Sequence, residues 1–129
     1  MTLFDLKGRT ALVTGSSQGI GLALAKGLAA AGADLILNGR DEAKLQAAAA
    51  AVEGPCKTLP FDVTDHGSVK DAVDRYESEN GPIDILVNNA GMQHRAALEE
   101  FPADAVEKLL QTNIASVFHV CQAVARHMI

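Results

Sequence analysis

The chain has 129 residues, with 11 basic and 16 acidic side chains and a formal net charge of −5. That is one domain's worth of polypeptide, able to remove roughly two-thirds of its unfolded surface from water. The acidic balance argues against a nucleic-acid or anionic-membrane partner, which would call for a basic patch. Residues 109–125 are charge-poor but carry Gln111, Asn113, Ser116, His119 and Gln122, so they do not read as a membrane span. Asp5, Lys7 and Arg9 precede any hydrophobic segment, contrary to a secretory signal. Cys56 and Cys121 form no CxxC pair and read as reduced thiols, so the expected location is cytoplasmic. None of the four histidines has metal-ligand spacing to a carboxylate.

Four short apolar runs read as strands: 10–14, 34–38, 56–61 and 83–88. The first, second and fourth lack clean alternation, which suits a parallel sheet covered on both faces. Helical segments separate them. On the first, Ile20, Leu24 and Leu28 recur every four residues; Asp41 is placed to cap the second; Val69, Ala72, Val73 and Tyr76 line the third. Gly32, Gly54 and the Gly81–Pro82 pair mark the returns to the sheet. After the fourth strand, Pro102 opens a short helix. A last helix is expected from about Thr112 to Met128, with Ile114, Val117, Phe118, Cys121, Val124, Ala125 and Met128 along the side that packs on the sheet. The βαβαβαβ pattern predicts an α/β doubly wound parallel sheet of Rossmann type, strand order 3-2-1-4, with helices on both faces. Aromatic residues are only 4% of this alanine-rich chain, so close packing of small side chains must replace large anchors.

The first strand runs directly into Thr14-Gly15-Ser16-Ser17-Gln18-Gly19-Ile20-Gly21 and then a helix. A pyrophosphate needs backbone N–H donors at a helix N-terminus and no Cβ in the way, and glycines at this spacing meet both needs. Taken with Asp62-Val63, with Asn88-Asn89-Ala90-Gly91 and with Asn113, the turn resembles the short-chain dehydrogenase/reductase family over the whole chain. The resemblance implies a nicotinamide cofactor. It places Gly15, Ser17, Gln18, Gly19, Ile20 and Gly21 around the dinucleotide, Asp62 on the adenine edge with Val63 beside it, and Asn89, Ala90 and Gly91 along the ribose side. At the end of the second strand, Asn38-Gly39-Arg40 offers a neutral residue and then a cation where an NAD enzyme would carry an acid. NADP is therefore expected, with Asn38 and Arg40 as cofactor-binding residues and NAD the second choice. The glycine turn lacks the second basic residue that related NADP enzymes often carry.

Gln93, His94 and Arg95, directly after Gly91 and Met92, are similar to the corresponding stretch of the gluconate 5-dehydrogenases within that family, as are Glu100-Phe101-Pro102 and residues 122–129. This implies a sugar-acid substrate, D-gluconate or 5-keto-D-gluconate, with Arg95 pairing its carboxylate and Gln93 and His94 reading hydroxyls. A 3-ketoacyl thioester or another keto sugar is the alternative substrate, and a nucleotide-binding or interaction module without turnover the alternative function. Family catalysis uses Asn, Ser, Tyr and a Lys four residues after the Tyr. Of these only Asn113 is expected here, as a water-relay residue, because Tyr76 is followed four positions on by Asn80. The remaining groups are expected after Ile129, which makes residues 1–129 the N-terminal half of one dinucleotide-binding domain. The family also implies a dimer or tetramer.

Overall fold

A computed structural model describes residues 3–129. Four parallel strands, β1 (Thr10–Val13), β2 (Asp34–Gly39), β3 (Cys56–Pro60) and β4 (Ile85–Val87), form one sheet in the order β3-β2-β1-β4. Between them run α1 (Gly19–Ala30), α2 (Glu42–Ala50) and α3 (His66–Asn80). After β4 come a short 3₁₀ turn (Leu98–Glu100), α4 (Ala103–Leu110), a π-helical turn (Gln111–Ala115) and α5 (Ser116–Met128). This is the doubly wound order anticipated from the strand–helix alternation. Among the described residues, no helix is long and apolar enough to cross a membrane.

The sheet is buried on both sides because successive strand residues point to opposite faces. Leu12 and Ile36 join Val69, Val73, Tyr76, Val120 and Val124 on the α3/α5 side. Their neighbours Ala11, Val13, Leu35 and Leu37 pack with Ala25, Leu45 and Ala48 on the α1/α2 side. Full burial of one such Leu, Ile or Val stabilises the fold by roughly 1.5–3 kcal/mol. Local signals fix the ends. The Asp41 side chain accepts from Lys44 N at 3.1 Å, the cap anticipated for α2, and Asp65 does the same for α3 through Ser68 N at 3.1 Å. Pro102 sits at the N-cap of α4, and Gly32, Gly54 and Gly81 all adopt positive φ at the returns.

Three expectations need correction. The fourth strand is shorter than 83–88: the Ile83 amide donates to Glu77 Oε1 at 3.0 Å rather than to a strand neighbour. On α1, Ile20 and Leu24 face outwards, 74% and 42% exposed, while Gly21 and Ala25 are buried. The smallest residues lie against the sheet because they allow the closest approach of helix to strand. On α5 the buried strip is Ser116, Val120, Ala123 and Val124; Ile114, Phe118 and Met128 face away, and of the anticipated stripe only Val124 is buried. The helix also starts later, since residues 111–115 widen into the π turn.

Candidate dinucleotide site

The site lies where β1, β2, β3 and β4 end together. β1 delivers Thr14, which is 1% exposed; its Oγ1 accepts hydrogen bonds from Asn89 N and Ala90 N, both at 3.0 Å. The Asn89 amide group returns the contact, Nδ2 donating to Thr14 O at 3.2 Å and to Gly15 O at 3.1 Å. The glycine turn and the segment after β4 are thus one hydrogen-bonded unit. Each glycine has its own reason. Gly15 has φ +59° and a Cβ there would stand 2.9 Å from Ala90 Cα; a Cβ on Gly21 would stand 2.3 Å from Gly15 O and 2.5 Å from Asn89 Nδ2. Gly19 has φ +61°, and a Cβ there would meet nothing within 4 Å, so that turn residue borders open space. The following helix has no side-chain cap at Gln18, which leaves the first amides of α1 facing that space without an intramolecular side-chain acceptor.

A hollow of about 630 Å³ opens in front of the turn. One wall is Gly15, Ser17 and Gln18; the next is Asn38, Gly39 and Arg40; the third is Asp62 and Val63; the fourth is Asn89, Ala90 and Gly91. Asp62 Oδ1 accepts from Thr64 N at 2.9 Å and Thr64 Oγ1 at 2.7 Å. The Thr64 hydroxyl is the main reason its carboxyl is held below the usual carboxylate range, with the Thr64 amide and the Arg40 charge adding to it against partial burial. The arrangement therefore offers helix-terminal N–H donors, an exposed guanidinium and a fixed ionised acceptor along one cleft.

Gly19, Ile20 and Gly21 do not line the hollow themselves; they shape the turn and the start of α1. A second, shallower hollow beside the first contains Gln93 and Asn113. His94 and Arg95 line neither: both are exposed, and the His94 ring lies against Phe101 at a centroid distance of 5.1 Å. Asn113, on the π turn, accepts from Met92 N at 2.9 Å and donates to Met92 O at 2.8 Å, so its carboxamide is spent on holding the loop after Gly91. Sequence reasoning missed Phe61, Thr64, Met92, Lys108, Gln111 and Thr112, all of which line the main hollow. Thr64 carried a signal, being two residues after an Asp in a turn. Lys108, Gln111 and Thr112 carried none, since nothing local says that α4 and the turn after it close the cleft.

A family model described as short chain dehydrogenase matches residues 9–129. The chain is 54% identical to gluconate 5-dehydrogenase of Gluconobacter oxydans over 130 aligned positions, 98% of this chain and 51% of that protein. It is 37% identical to a 3-oxoacyl-acyl-carrier-protein reductase of Chlamydia pneumoniae, over 96% of this chain and 51% of that one. Among solved structures, gluconate 5-dehydrogenase from Burkholderia cenocepacia, determined with NADP and tartrate, superposes with a TM-score of 0.93 at 48% identity, covering 97% of this chain and 50% of that chain. The chain thus spans about half the length of the relatives it matches. With the parallel 3-2-1-4 sheet, the glycine turn locked to Asn89 and a family match from residue 9 to the last, this chain belongs to the short-chain dehydrogenase family.

Proposed function

We propose that residues 1–129 form the NADP-binding, N-terminal half of a dinucleotide domain in an oxidoreductase that interconverts D-gluconate and 5-keto-D-gluconate. The observation that carries this reading is the cleft that brings the glycine turn, Arg40 and Asp62 together, in a chain similar to gluconate 5-dehydrogenases over nearly its whole length. The residues present fit a dinucleotide. Open space at Gly19 and uncapped α1 amides suit a pyrophosphate, and the oriented carboxylate of Asp62 suits an adenine amine. Arg40, exposed on the rim and preceded by Gly39 rather than an acid, suits a 2′-phosphate. Bound there, the nicotinamide dinucleotide supplies the hydride chemistry. The chain's own residues bind and orient it: Asn89 keeps the turn in register, and Asn113 fixes the loop at Met92 beside the second hollow.

The substrate assignment rests on the likeness to gluconate 5-dehydrogenases and on Gln93 facing the second hollow. Because Arg95 and His94 stand outside both hollows, reduction of a 3-oxoacyl thioester is the second reading, in keeping with the relative that carries that name. A homo-oligomer is part of the proposal: Val106, Leu110, Ile114 and Phe118, along α4, the π turn and the start of α5, are 41–63% exposed. The first test is a fluorescence titration with NADPH and NADH. Saturable binding with NADPH at least tenfold tighter supports the reading, and absence of binding to either sinks it.

A further inference from the structure

We infer that Asn38 is the positioning residue of this cleft, a buried clamp between the phosphate-binding turn and the adenine-side loop, and not a group that touches the cofactor. The inference rests on the proposed dinucleotide reading but concerns a residue whose place in β2 would otherwise suggest direct contact with the ribose. Asn38 is 1% exposed. Its Oδ1 accepts from Gly15 N at 3.1 Å, and its Nδ2 donates to Leu59 O and to Phe61 O, both at 3.1 Å. Both amide protons and the carbonyl oxygen are therefore engaged. The main chain is engaged as well. Asn38 N donates to Ser16 Oγ at 3.0 Å, Ser16 N donates to Asn38 O at 2.8 Å, and Ser16 Oγ donates in turn to Val13 O at 2.6 Å.

The chemistry of these partners explains why a carboxamide stands here. Gly15 presents a donor while Leu59 and Phe61 present acceptors, and both of the latter residues are buried. Only a side chain with an acceptor and two donors satisfies all three, because a buried amide or carbonyl left unpaired is costly. An Asp carries no donors when ionised, and a Ser is too short to span the three. Pro60, which has no N–H to offer the ladder, lies between the two carbonyls. In functional terms, one side chain fixes Gly15 at the start of the glycine turn relative to Phe61, the residue immediately before Asp62. The pyrophosphate and adenine sites are then held at a set separation before a dinucleotide arrives. Asn38 shares a wall of the hollow with Gly39 and Arg40, but its side-chain donors and acceptor are engaged within the protein, so recognition of the ribose 2′ position falls to Gly39 and Arg40.

The test is Asn38→Ala, read by NADPH and NADH titration at a temperature where circular dichroism shows the variant fully folded. Misplacing the turn acts on the pyrophosphate, which both dinucleotides share. Both dissociation constants should rise by about tenfold, the scale of one lost hydrogen bond, with their ratio unchanged. A folded variant with unaltered affinities would reduce Asn38 to a stability residue and overturn the inference. A changed NADPH-to-NADH ratio would make it a direct contact and overturn it equally. Should the variant not fold, hydrogen exchange of the parent chain decides. The Asn38 carboxamide protons should already be protected without NADPH; protection that appears only with NADPH would refute the clamp. If the parent chain binds neither dinucleotide, the proposed function itself fails, an outcome distinct from normal binding in the parent and in Asn38→Ala alike.

Discussion

Adding one methyl group at Gly21 is the smallest change that tests the turn. Its Cβ would meet the Gly15 carbonyl oxygen at 2.3 Å and Ser16 Cα at 2.9 Å, and both are backbone atoms that cannot rotate away. Gly21→Ala should therefore destabilise the chain by about 1–3 kcal/mol, as overpacking does, and weaken NADPH binding in whatever remains folded. Thermal melting with a parallel titration checks both; an unchanged melting temperature would mean that the turn is more compliant than its contacts imply. Arg40 raises a different question, since it is exposed and its loss should not affect folding. On the proposed reading, Arg40→Asp removes the cation that would face a 2′-phosphate and puts a repelling charge there. A charge-assisted contact of this kind contributes roughly 1.5–3 kcal/mol, so NADPH affinity should fall by about tenfold or more while NADH affinity holds or improves. An unchanged ratio of the two would remove Arg40 from the site.

At the scale of elements, α5 is held to α3 by a charged cluster at its last turn. Asp74 on α3 pairs with Lys70 at 3.0 Å, with His127 Nε2 at 2.8 Å and with Arg126, while His127 Nδ1 stands 3.3 Å from Glu77. The hydrogen bond to His127 is the largest cause, followed by Lys70, of an Asp74 pKa lowered from 3.8 to about 2. A carboxyl whose folded pKa is depressed stabilises the fold above its unfolded pKa, and loses that contribution as pH falls through the folded value. The window is thus from near pH 4 down to about 2. Asp74→Asn should lower the melting temperature at pH 7 by a modest amount, as befits a partly exposed cluster, and the gap to the parent should close by pH 2. A gap that persists at that pH would mean that the substitution acts through packing.

The same elements show where the sequence was legible. Strands 10–14 and 34–38 were plain because both faces of the sheet are covered, so their central positions are all apolar and no choice of face arises. Asp41 and Pro102 were plain because a cap acts within one turn of chain. The facing of α1 and α5 was not. A four-residue repeat locates an apolar stripe, and in a chain this rich in small residues the surface against the sheet is the side of small residues, with Ile20, Leu24 and Phe118 left outside. The π turn was illegible for a related reason: it accompanies the Asn113–Met92 contacts, which join residues far apart in sequence.

For the molecule as a whole, the glycine turn, Asp62 and Asn89 to Gly91 could be read because their chemistry lies in short local motifs. The inward turn of Asn38 and the closing of the cleft by Lys108, Gln111 and Thr112 depend on the assembled sheet and could not. On the proposed reading, what is assembled binds and orients a dinucleotide, and the tyrosine is not placed to transfer a proton to a substrate there. Tyr76 is the one tyrosine. It is buried among Val69, Val73 and Val124, lines neither hollow, and its hydroxyl pKa is raised first by burial and then by the charges of Asp34 and Glu77. Four positions on, Asn80 donates to the Tyr76 carbonyl at 3.1 Å and Lys57 reaches Asn80, so the pair is part of the packing of α3 on β3. A reductase needs a positioned acid near the reacting carbonyl. The polypeptide of residues 1–129 should therefore bind NADPH yet leave it unoxidised in the presence of 5-keto-D-gluconate. Absorbance at the reduced-nicotinamide band, followed against a buffer blank, reads the outcome. Oxidation at an enzyme-like rate, on the order of 1 per second or faster, would show that the acid is supplied from within these residues and that the assignment of a binding half is wrong.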